Sequence, residues 1–144
     1  MSVKPQTLSN HRRYVPLFHF VLLAILLFNF VWTVVHLIEV PTAQHAVDAV
    51  MAVAFAIMFL YIRQFPLRVQ DRLIRLEETL RIQRLVPDLA KRVDEFSIGH
   101  LVGLRFACDE ELPALARKVL NEKVMSRSAI KQMVKTWRPD YFRA

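Results

Sequence analysis

Residues 15–38 read VPLFHFVLLAILLFNFVWTVVHLI and contain no Asp, Glu, Lys or Arg. As an α-helix with a rise of ~1.5 Å per residue, this stretch is about 36 Å long, which exceeds the roughly 30 Å hydrocarbon thickness of a bilayer. A secretory signal peptide has an apolar region of only about 7–15 residues before a small-residue cleavage site, whereas Glu39, Val40 and Pro41 follow here. The stretch therefore predicts a first transmembrane helix that is not cleaved off.

A second apolar run, AVMAVAFAIMFLYI, occupies residues 49–62 and has no charged residue. It is shorter than the usual transmembrane span of about 17–25 residues. Asp48 can lie at one head-group level while Tyr61 anchors the other, which lengthens the feasible span. We therefore predict a second transmembrane helix at residues 46–62, joined to the first by a short external turn at residues 39–45. A re-entrant or buried helix is the alternative.

The basic residues indicate the orientation of this hairpin. Lys4, Arg12 and Arg13 lie in the N-terminal segment of residues 1–14, arginines follow the second span, and the turn has no Lys or Arg. By the positive-inside rule, both termini are cytoplasmic. The protein is then expected in the plasma membrane with two spans.

The remainder of the chain has no segment that alternates with a period of two, so we predict helices only. Pro66 suits the first turn of a new helix within a basic amphipathic juxtamembrane region, residues 63–86. The cytoplasmic tail, residues 87–144, is predicted to contain four helices: 88–96; 98–107 with Ser97 as N-cap; 109–121 with Asp109 as N-cap and Pro113 in the first turn; and 126–137 with Ser126 as N-cap. The fold class is all-α: a two-helix transmembrane hairpin followed by a small cytoplasmic helical tail.

The juxtamembrane helix carries an apolar stripe with helical spacing of four, three and four residues. It consists of Val69, Leu73, Leu76 and Leu80. Three arginines lie beside it: Arg68, Arg72 and Arg75. The stripe is open to three interpretations: a short coiled coil with a second copy, a helix lying on the membrane surface, or a face packed on the tail. We expect the arginines to contact anionic lipid head groups, at about 1 kcal/mol each.

Composition excludes several function classes. The 144 residues, of which 54% are hydrophobic, include only two glycines, so a Gly-rich phosphate loop or dinucleotide fingerprint is ruled out. A single cysteine, Cys108, excludes an internal disulfide and a Cys-rich zinc module. The net charge of +7 indicates a polyanionic partner, either anionic lipid or nucleic acid. The clustering of basic residues next to the second span favours lipid.

Four polar side chains flank the turn: His36, Glu39, His45 and Asp48. Residues three apart share a helix face, and an antiparallel hairpin could gather all four, a set that suits zinc, iron or manganese. The simpler interpretation is that they are polar groups at the water interface, so we assign no metal and no cofactor. A metal- or haem-carrying subunit of a membrane redox assembly remains the alternative; for haem, His19 and His36 would serve two separate sites, about 25 Å apart along a helix.

The last two predicted helices resemble a helix-turn-helix, with Lys131, Lys135 and Arg138 on a recognition helix. The turn at residues 122–125 has no glycine, and Val124 within it is more simply a core contact. Nucleic acid is therefore not an expected partner, and a membrane-tethered DNA-binding protein is kept only as a further alternative.

No Ser-His-Asp, Cys-His or paired-carboxylate arrangement can be placed in a pocket from these residues, so no enzymatic activity is predicted. The function that remains is a non-enzymatic membrane-anchored accessory, scaffold or interaction protein. Its expected partners are the lipid bilayer with its anionic head groups, and either further copies of the chain or another membrane protein.

Four stretches are similar to a family of small bacterial membrane proteins known only as a domain of unknown function. They are NHRRYVPLFHFVLL from Asn10, FPLRVQDRLIRLEE from Phe65, LRFACDEELP from Leu104 and IKQMVKTWRPDYFR from Ile130. The resemblance covers nearly the full length and implies a two-span anchor in a bacterial inner membrane, a juxtamembrane helix and a helical tail ending in a Trp-Arg-Pro-Asp element. It implies no activity, cofactor or catalytic residue.

Overall fold

The computed structural model describes residues 6–10, 14–124 and 126–140. Its helices in chain order are α1 (Leu23–Glu39), α2 (Ala43–Leu85), α3 (Ile98–Leu104), α4 (Leu112–Asn121) and α5 (Arg127–Met133). A π-helical stretch, Leu17–Leu22, precedes α1, and a 3-10 helix, Pro87–Glu95, follows α2. The described residues contain no strand, and one isolated antiparallel bridge joins Ala107 to Trp137. The all-α prediction is confirmed.

The chain divides into two units. The hairpin unit is Arg13–Pro66, and the tail unit comprises Met1–Arg12 together with Leu67–Ala144. The hairpin unit contains α1 and the first part of α2, which confirms the predicted pair of long apolar helices.

Several contacts within the hairpin unit involve its aromatic and small side chains. Phe18 stacks on Phe59 with ring centroids 4.6 Å apart. Among the described residues of this unit, Thr33 and Ala52 are buried, and small side chains of this kind allow helices to approach closely. The Thr33 hydroxyl donates to the Phe30 carbonyl of its own helix at 3.1 Å. Thr42 caps the start of α2, where its Oγ1 accepts from the His45 N–H at 3.2 Å.

The prediction that a new helix begins at Pro66 is wrong. Pro66 lies inside α2, which is unbroken from Ala43 to Leu85. Proline in a helix interior removes one backbone hydrogen bond and crowds the preceding turn, and it usually kinks or ends a helix. Here helix-favouring residues such as Leu67, Arg68 and Arg63 lie on both sides of Pro66, so one missing donor does not end the helix.

The tail unit has one core, built from the inner face of α2 and the short helices that follow. Its fully buried members include large side chains from α2, α3, α4 and α5 and from the segments between helices: Ile82, Val86, Phe96, Leu101, Leu104, Phe106, Leu112, Val119 and Ile130. α3 and α5 are in close contact at Gly103, where an added Cβ would lie 2.7 Å from Cγ2 of Ile130. Val124 also packs against this core, as predicted.

Two predicted caps are correct. The Ser97 side chain accepts from the His100 N–H at 3.2 Å, and the His100 side chain accepts from the Ser97 N–H, which completes a capping box. Ser126 accepts from the Ala129 N–H at 3.3 Å. These short-range signals depend only on residues three apart, which is why the sequence reveals them.

Other predicted boundaries change. The helix predicted at residues 88–96 is a 3-10 helix, Pro87–Glu95, rather than an α-helix. α3 ends at Leu104, and α4 begins at Leu112 with Glu111 rather than Asp109 as N-cap. Asp109 instead accepts from the side chain of Arg81. α5 ends at Met133 because the Glu111 carboxylate accepts from N–H groups just beyond it, Lys135 at 2.9 Å and Thr136 at 3.0 Å.

The two ends of the described chain meet within the tail unit. The Asp140 N–H donates to Oε1 of Gln6 at 2.9 Å, and Nε2 of Gln6 donates to the Asp140 carbonyl at 3.4 Å.

Candidate functional site

The first candidate surface is the apolar exterior of the hairpin unit. Two described helices, Leu17–Glu39 and Ala43–Leu85, are long and apolar enough to cross a membrane, and only 6% of the most apolar stretch of each is buried. Large side chains are exposed along both, for example Phe28 at 68%, Ile38 at 76% and Val50 at 68%. The central helix of a soluble domain would bury most of this surface, because exposed apolar area costs about 25 cal/mol per Å² in water.

The structure brings together two of the four polar residues at the turn. The rings of His36 and His45 meet edge to face with centroids 5.9 Å apart. The Nδ1–H of His36 donates to the Trp32 carbonyl at 3.0 Å, and that of His45 donates to the Val40 carbonyl at 2.7 Å.

The carboxylates at the turn do not complete a metal site with these histidines. Asp48 accepts from Nε2 of Gln44 at 3.0 Å, so its carboxylate is engaged along its own helix. Across the described ranges, no group of three or more His, Cys, Asp or Glu side chains could hold a metal ion. The predicted set of His36, Glu39, His45 and Asp48 is thus only partly assembled.

The part of α2 that follows Pro66 leaves its apolar stripe exposed. The exposed stripe, as we call it, consists of Val69, Leu73, Leu76 and Leu80, and its members are between 53% and 67% exposed. The interpretation of this stripe as a face packed on the tail is therefore wrong. The tail unit packs on the opposite side of the helix, where Ile74, Glu78 and Ile82 are at most 5% exposed.

The three predicted lipid-contacting arginines lie beside the exposed stripe. Arg68, Arg72 and Arg75 are all exposed. In the part of the chain that the structure describes, none of the three has an ion-pair partner within 4 Å. They form a run of positive charge along one flank of the stripe.

A cleft of 660 Å³ opens between α2 and the last residues of the described tail. Its walls combine four arginines, four carboxylates and two leucines of the exposed stripe. Its principal lining residues are Leu73, Glu77, Glu78, Leu80, Arg81, Arg84, Arg105, Asp109, Arg138 and Asp140. The balanced charges make it a mixed polar surface rather than a purely anion-binding one.

A buried ion network forms the base of the cleft, centred on Arg81. Arg81 is 6% exposed and donates to Glu78 at 3.1 Å, to Asp109 at 2.8 Å and to the Ala107 carbonyl at 2.6 Å. Burial raises the pKa of Glu78, and the neighbouring Arg81 opposes this rise. Hydrogen bonding from Arg81 lowers the pKa of Asp109. Glu78 also lies 3.4 Å from Arg138. The network therefore joins α2 to the segment that contains Ala107 and Asp109 and to the segment that contains Arg138.

The Trp-Arg-Pro-Asp element packs within the tail unit through backbone and ring contacts. The Arg138 N–H donates to the Phe106 carbonyl at 2.7 Å, and the Trp137 ring lies against the Phe106 ring with centroids 4.7 Å apart. Arg105 and Asp140 form an ion pair at 3.2 Å. These contacts fix the outer wall of the cleft.

Sequence reasoning missed this cleft. One local signal pointed to it, the i, i+3 pair of Glu78 and Arg81, but that pattern also occurs on ordinary solvated helix faces. A second signal lies in the family resemblance, because three of its four stretches supply lining residues, including Glu78, Asp109 and Arg138. Their convergence depends on long-range pairing that spacing alone does not reveal.

The residues predicted for a DNA-recognition helix are separated in the structure. Lys131 lies on α5, which has only seven residues, and its amine is 4.9 Å from the Phe106 ring centroid. Lys135 and Arg138 follow the end of α5, and Arg138 belongs to the cleft. The three side chains therefore do not lie on one helix.

His100 gives the tail unit a pH-dependent element. It is 5% exposed, and its Nδ1 accepts from the Ser97 N–H, so a neutral ring carries its proton on Nε2. Burial lowers the pKa of His100. Protonation would place a second N–H against the Ser97 N–H and break the capping box.

We expect the tail unit to lose stability as the pH falls below about 6.5, the ordinary histidine pKa, because the unfolded chain then binds a proton that the folded chain resists. In His100→Gln, which keeps a neutral capping acceptor, the loss between pH 7.5 and 5.5 should shrink by about 1 kcal/mol. Thermal unfolding of both proteins in mild detergent at the two pH values measures this difference. Equal pH dependence in the two proteins would contradict the assignment, since all other histidines are shared.

Comparisons with known proteins agree with the sequence resemblance. A search of curated proteins and of solved structures finds no match to the chain. A family model described as a family of unknown function (DUF6526) matches residues 1–144. The chain therefore belongs to the DUF6526 family.

Proposed function

We propose that this chain is a non-enzymatic membrane-anchored accessory or interaction protein of a bacterial inner membrane. The observation that carries the proposal is the apolar exterior of the hairpin unit. Only 6% of the most apolar stretch of each of its two long helices is buried. Transfer of that surface from water into hydrocarbon is strongly favourable, whereas its exposure would promote aggregation.

The distribution of charge supports a two-span orientation with both termini in the cytoplasm. The turn between α1 and α2 has no Lys or Arg, while Arg12, Arg13 and Arg63 flank the apolar stretches at their other ends. Arg68, Arg72 and Arg75 are exposed close to that end, where a negatively charged leaflet would attract them. The tail unit, with its charged cleft, then faces the cytoplasm and is available to a partner.

The redox alternative receives less support. Of the four side chains that it requires, only His36 and His45 lie together, with ring centroids 5.9 Å apart. Two imidazoles at a water-exposed turn bind a metal weakly compared with the three or four ligands of a built site. We therefore do not propose this function.

Membrane fractionation and cysteine labelling test the anchor. The full-length chain should resist alkaline extraction from bacterial membranes. In a Cys108→Ser background, Gln44→Cys should react with a membrane-impermeant maleimide in intact spheroplasts, while Ser9→Cys and Lys91→Cys should react only after lysis. Alkaline release of the chain, or labelling of Lys91→Cys from outside, would refute the proposal.

The same protein in nanodiscs tests the arginines. Anionic lipid should raise the melting temperature of the native chain relative to zwitterionic lipid, and this gain should fall when Arg68, Arg72 and Arg75 become Gln. At about 1 kcal/mol each, the three contacts are worth ~3 kcal/mol at low salt. Changing three exposed lysines distant in sequence from the anchor, Lys91, Lys123 and Lys135, to Gln removes the same charge and should leave most of the gain. Equal losses in both variants would show a general charge effect.

A further inference from the structure

The exposed stripe remains uncovered after the tail unit has packed. Its four residues are more than half exposed, while the opposite face of the same helix is buried in the core. Because that buried face includes the Glu78 and Arg81 ion network, α2 cannot rotate to hide the stripe without exposing the core. Any cover must come from outside the described fold.

The spacing of the stripe defines a heptad register. With Leu73 and Leu80 at a positions, Val69 and Leu76 fall at d positions. The flanking g and e positions then hold Arg72 and Glu77. Within the described ranges neither of these two side chains has an ion pair, and Arg72 is fully available on the exposed side of the helix.

We infer that the exposed stripe binds a second copy of this chain as a short parallel coiled coil. In a parallel pair, a g residue of one helix faces the e residue five positions further along the other helix. Arg72 of each copy therefore faces Glu77 of the other, and twofold symmetry makes this attractive contact twice. In an antiparallel pair g residues face g residues, so Arg72 and Glu77 would not meet.

Insertion in a membrane favours pairing through a stripe of fewer than three heptads, because it raises the effective concentration of the two helices. Such a short seam associates weakly in dilute solution. Two copies inserted in one membrane present α2 in the same direction, and their confinement raises the effective concentration of one stripe for the other. This step rests on the proposed function. Arg68 and Arg75, both at c positions, point away from the seam and stay available to lipid head groups.

Cysteine crosslinking of the full-length chain in native membranes tests the seam. In the Cys108→Ser background, Val69→Cys and Leu76→Cys should each form disulfide-linked dimers on mild oxidation. Arg75→Cys is the control, because a neighbouring helix position lies about 100° around the axis, and its yield should be at least about five-fold lower.

Charge exchange tests the register. Arg72→Glu and Glu77→Arg should each lower the dimer yield of Leu76→Cys, roughly ten-fold in dissociation constant, since two attractive pairs become repulsive. The double exchange should restore the yield. Glu77→Arg also changes the surroundings of Glu78 in its own chain, but it does so equally in the single and double variants. Restoration therefore reports the contact between copies.

Several results would overturn the inference. Crosslinking at only one of Val69 and Leu76 indicates an antiparallel crossing, and failure of the double exchange to restore the yield removes the Arg72–Glu77 register. Fluorescent labels on the two cysteines give a further test. If neither cysteine crosslinks and lipid-borne spin labels quench the fluorescence at both, the stripe lies on the membrane instead. Alkaline extraction of the same membranes tests the anchor separately, so failure of the dimer and failure of the proposed function are distinguishable.

Discussion

Replacing Arg81 with methionine should lower the free energy of unfolding of the tail unit by about 3–5 kcal/mol, the usual cost of breaking a buried ion pair from one side. The side chain satisfies Glu78, Asp109 and the Ala107 carbonyl at once. Without it, Glu78, which is 3% exposed, keeps only Arg138 at 3.4 Å. Urea unfolding in mild detergent, followed by circular dichroism, measures the change.

Acid should partly rescue the Arg81→Met protein. Burial already raises the pKa of Glu78, and removal of Arg81 takes away the principal effect that opposes this rise. A carboxyl group whose folded pKa is raised contributes stability below its unfolded pKa, and this contribution is lost as the pH rises through the folded pKa. The variant should therefore be closer to the native protein in stability at pH 5 than at pH 8.

Two further variants separate the buried ion pair from general loss of charge. Arg84 lies on the same helix, is 70% exposed and is 3.7 Å from Asp109, so Arg84→Met should cost less than about 1 kcal/mol. The double variant Glu78→Gln/Arg81→Met should recover part of the loss, because it leaves no buried carboxylate unpaired. If Arg81→Met is no more damaging than Arg84→Met, the network does not stabilise the fold.

Gly103→Ala should destabilise the tail unit by about 1–3 kcal/mol, the range for overpacking a filled core. The new Cβ would lie 2.7 Å from Cγ2 and 2.8 Å from Cβ of Ile130, a residue with no exposed surface. Since the Ile130 Cβ is attached directly to the backbone of α5, a side-chain rotation cannot relieve the contact and α5 must shift. Thermal unfolding of the two proteins compares their stabilities.

Gly99→Ala is the matched control, since it introduces the same methyl group into the same helix. Its Cβ would meet only Oγ of Ser97, at an ordinary 3.6 Å. Alanine is favoured over glycine in a helix by up to about 1 kcal/mol, so this variant should equal or exceed the native stability. A further loss in Gly103→Val would support the steric cause, and equal stabilities of the two alanine variants would contradict it.

The parts of the fold that follow from local chemistry could be predicted from the sequence. The long uncharged stretch at residues 15–38 indicates a helix by length and composition, and the Ser97 and Ser126 caps act on N–H groups three residues away. The continuation of α2 through Pro66 could not be foreseen, because the rule that proline starts a helix considers one hydrogen bond and not the helix on both sides.

The candidate site depended on contacts between distant residues and was largely missed. Asp109 is of a residue type that often caps helices. Its carboxylate instead accepts a hydrogen bond from Arg81, 28 positions earlier. The end of α5 is likewise set by Glu111, more than twenty positions before it. Sequence did identify the apolar stripe from Val69 to Leu80, because its period is local; only the fold reveals which side of the helix the core occupies.

The contact between Gln6 and Asp140 restricts how many times this chain can cross a membrane. Both hydrogen bonds are short enough to require direct contact between residues 134 positions apart. Two residues in contact lie on one side of a bilayer, so the chain between them crosses it an even number of times. A single crossing, with either apolar helix left on the surface, is incompatible with that contact, as is any odd number. The two apolar helices therefore either both cross a bilayer or both stay out of it, whatever their hydropathy and the charges that flank them.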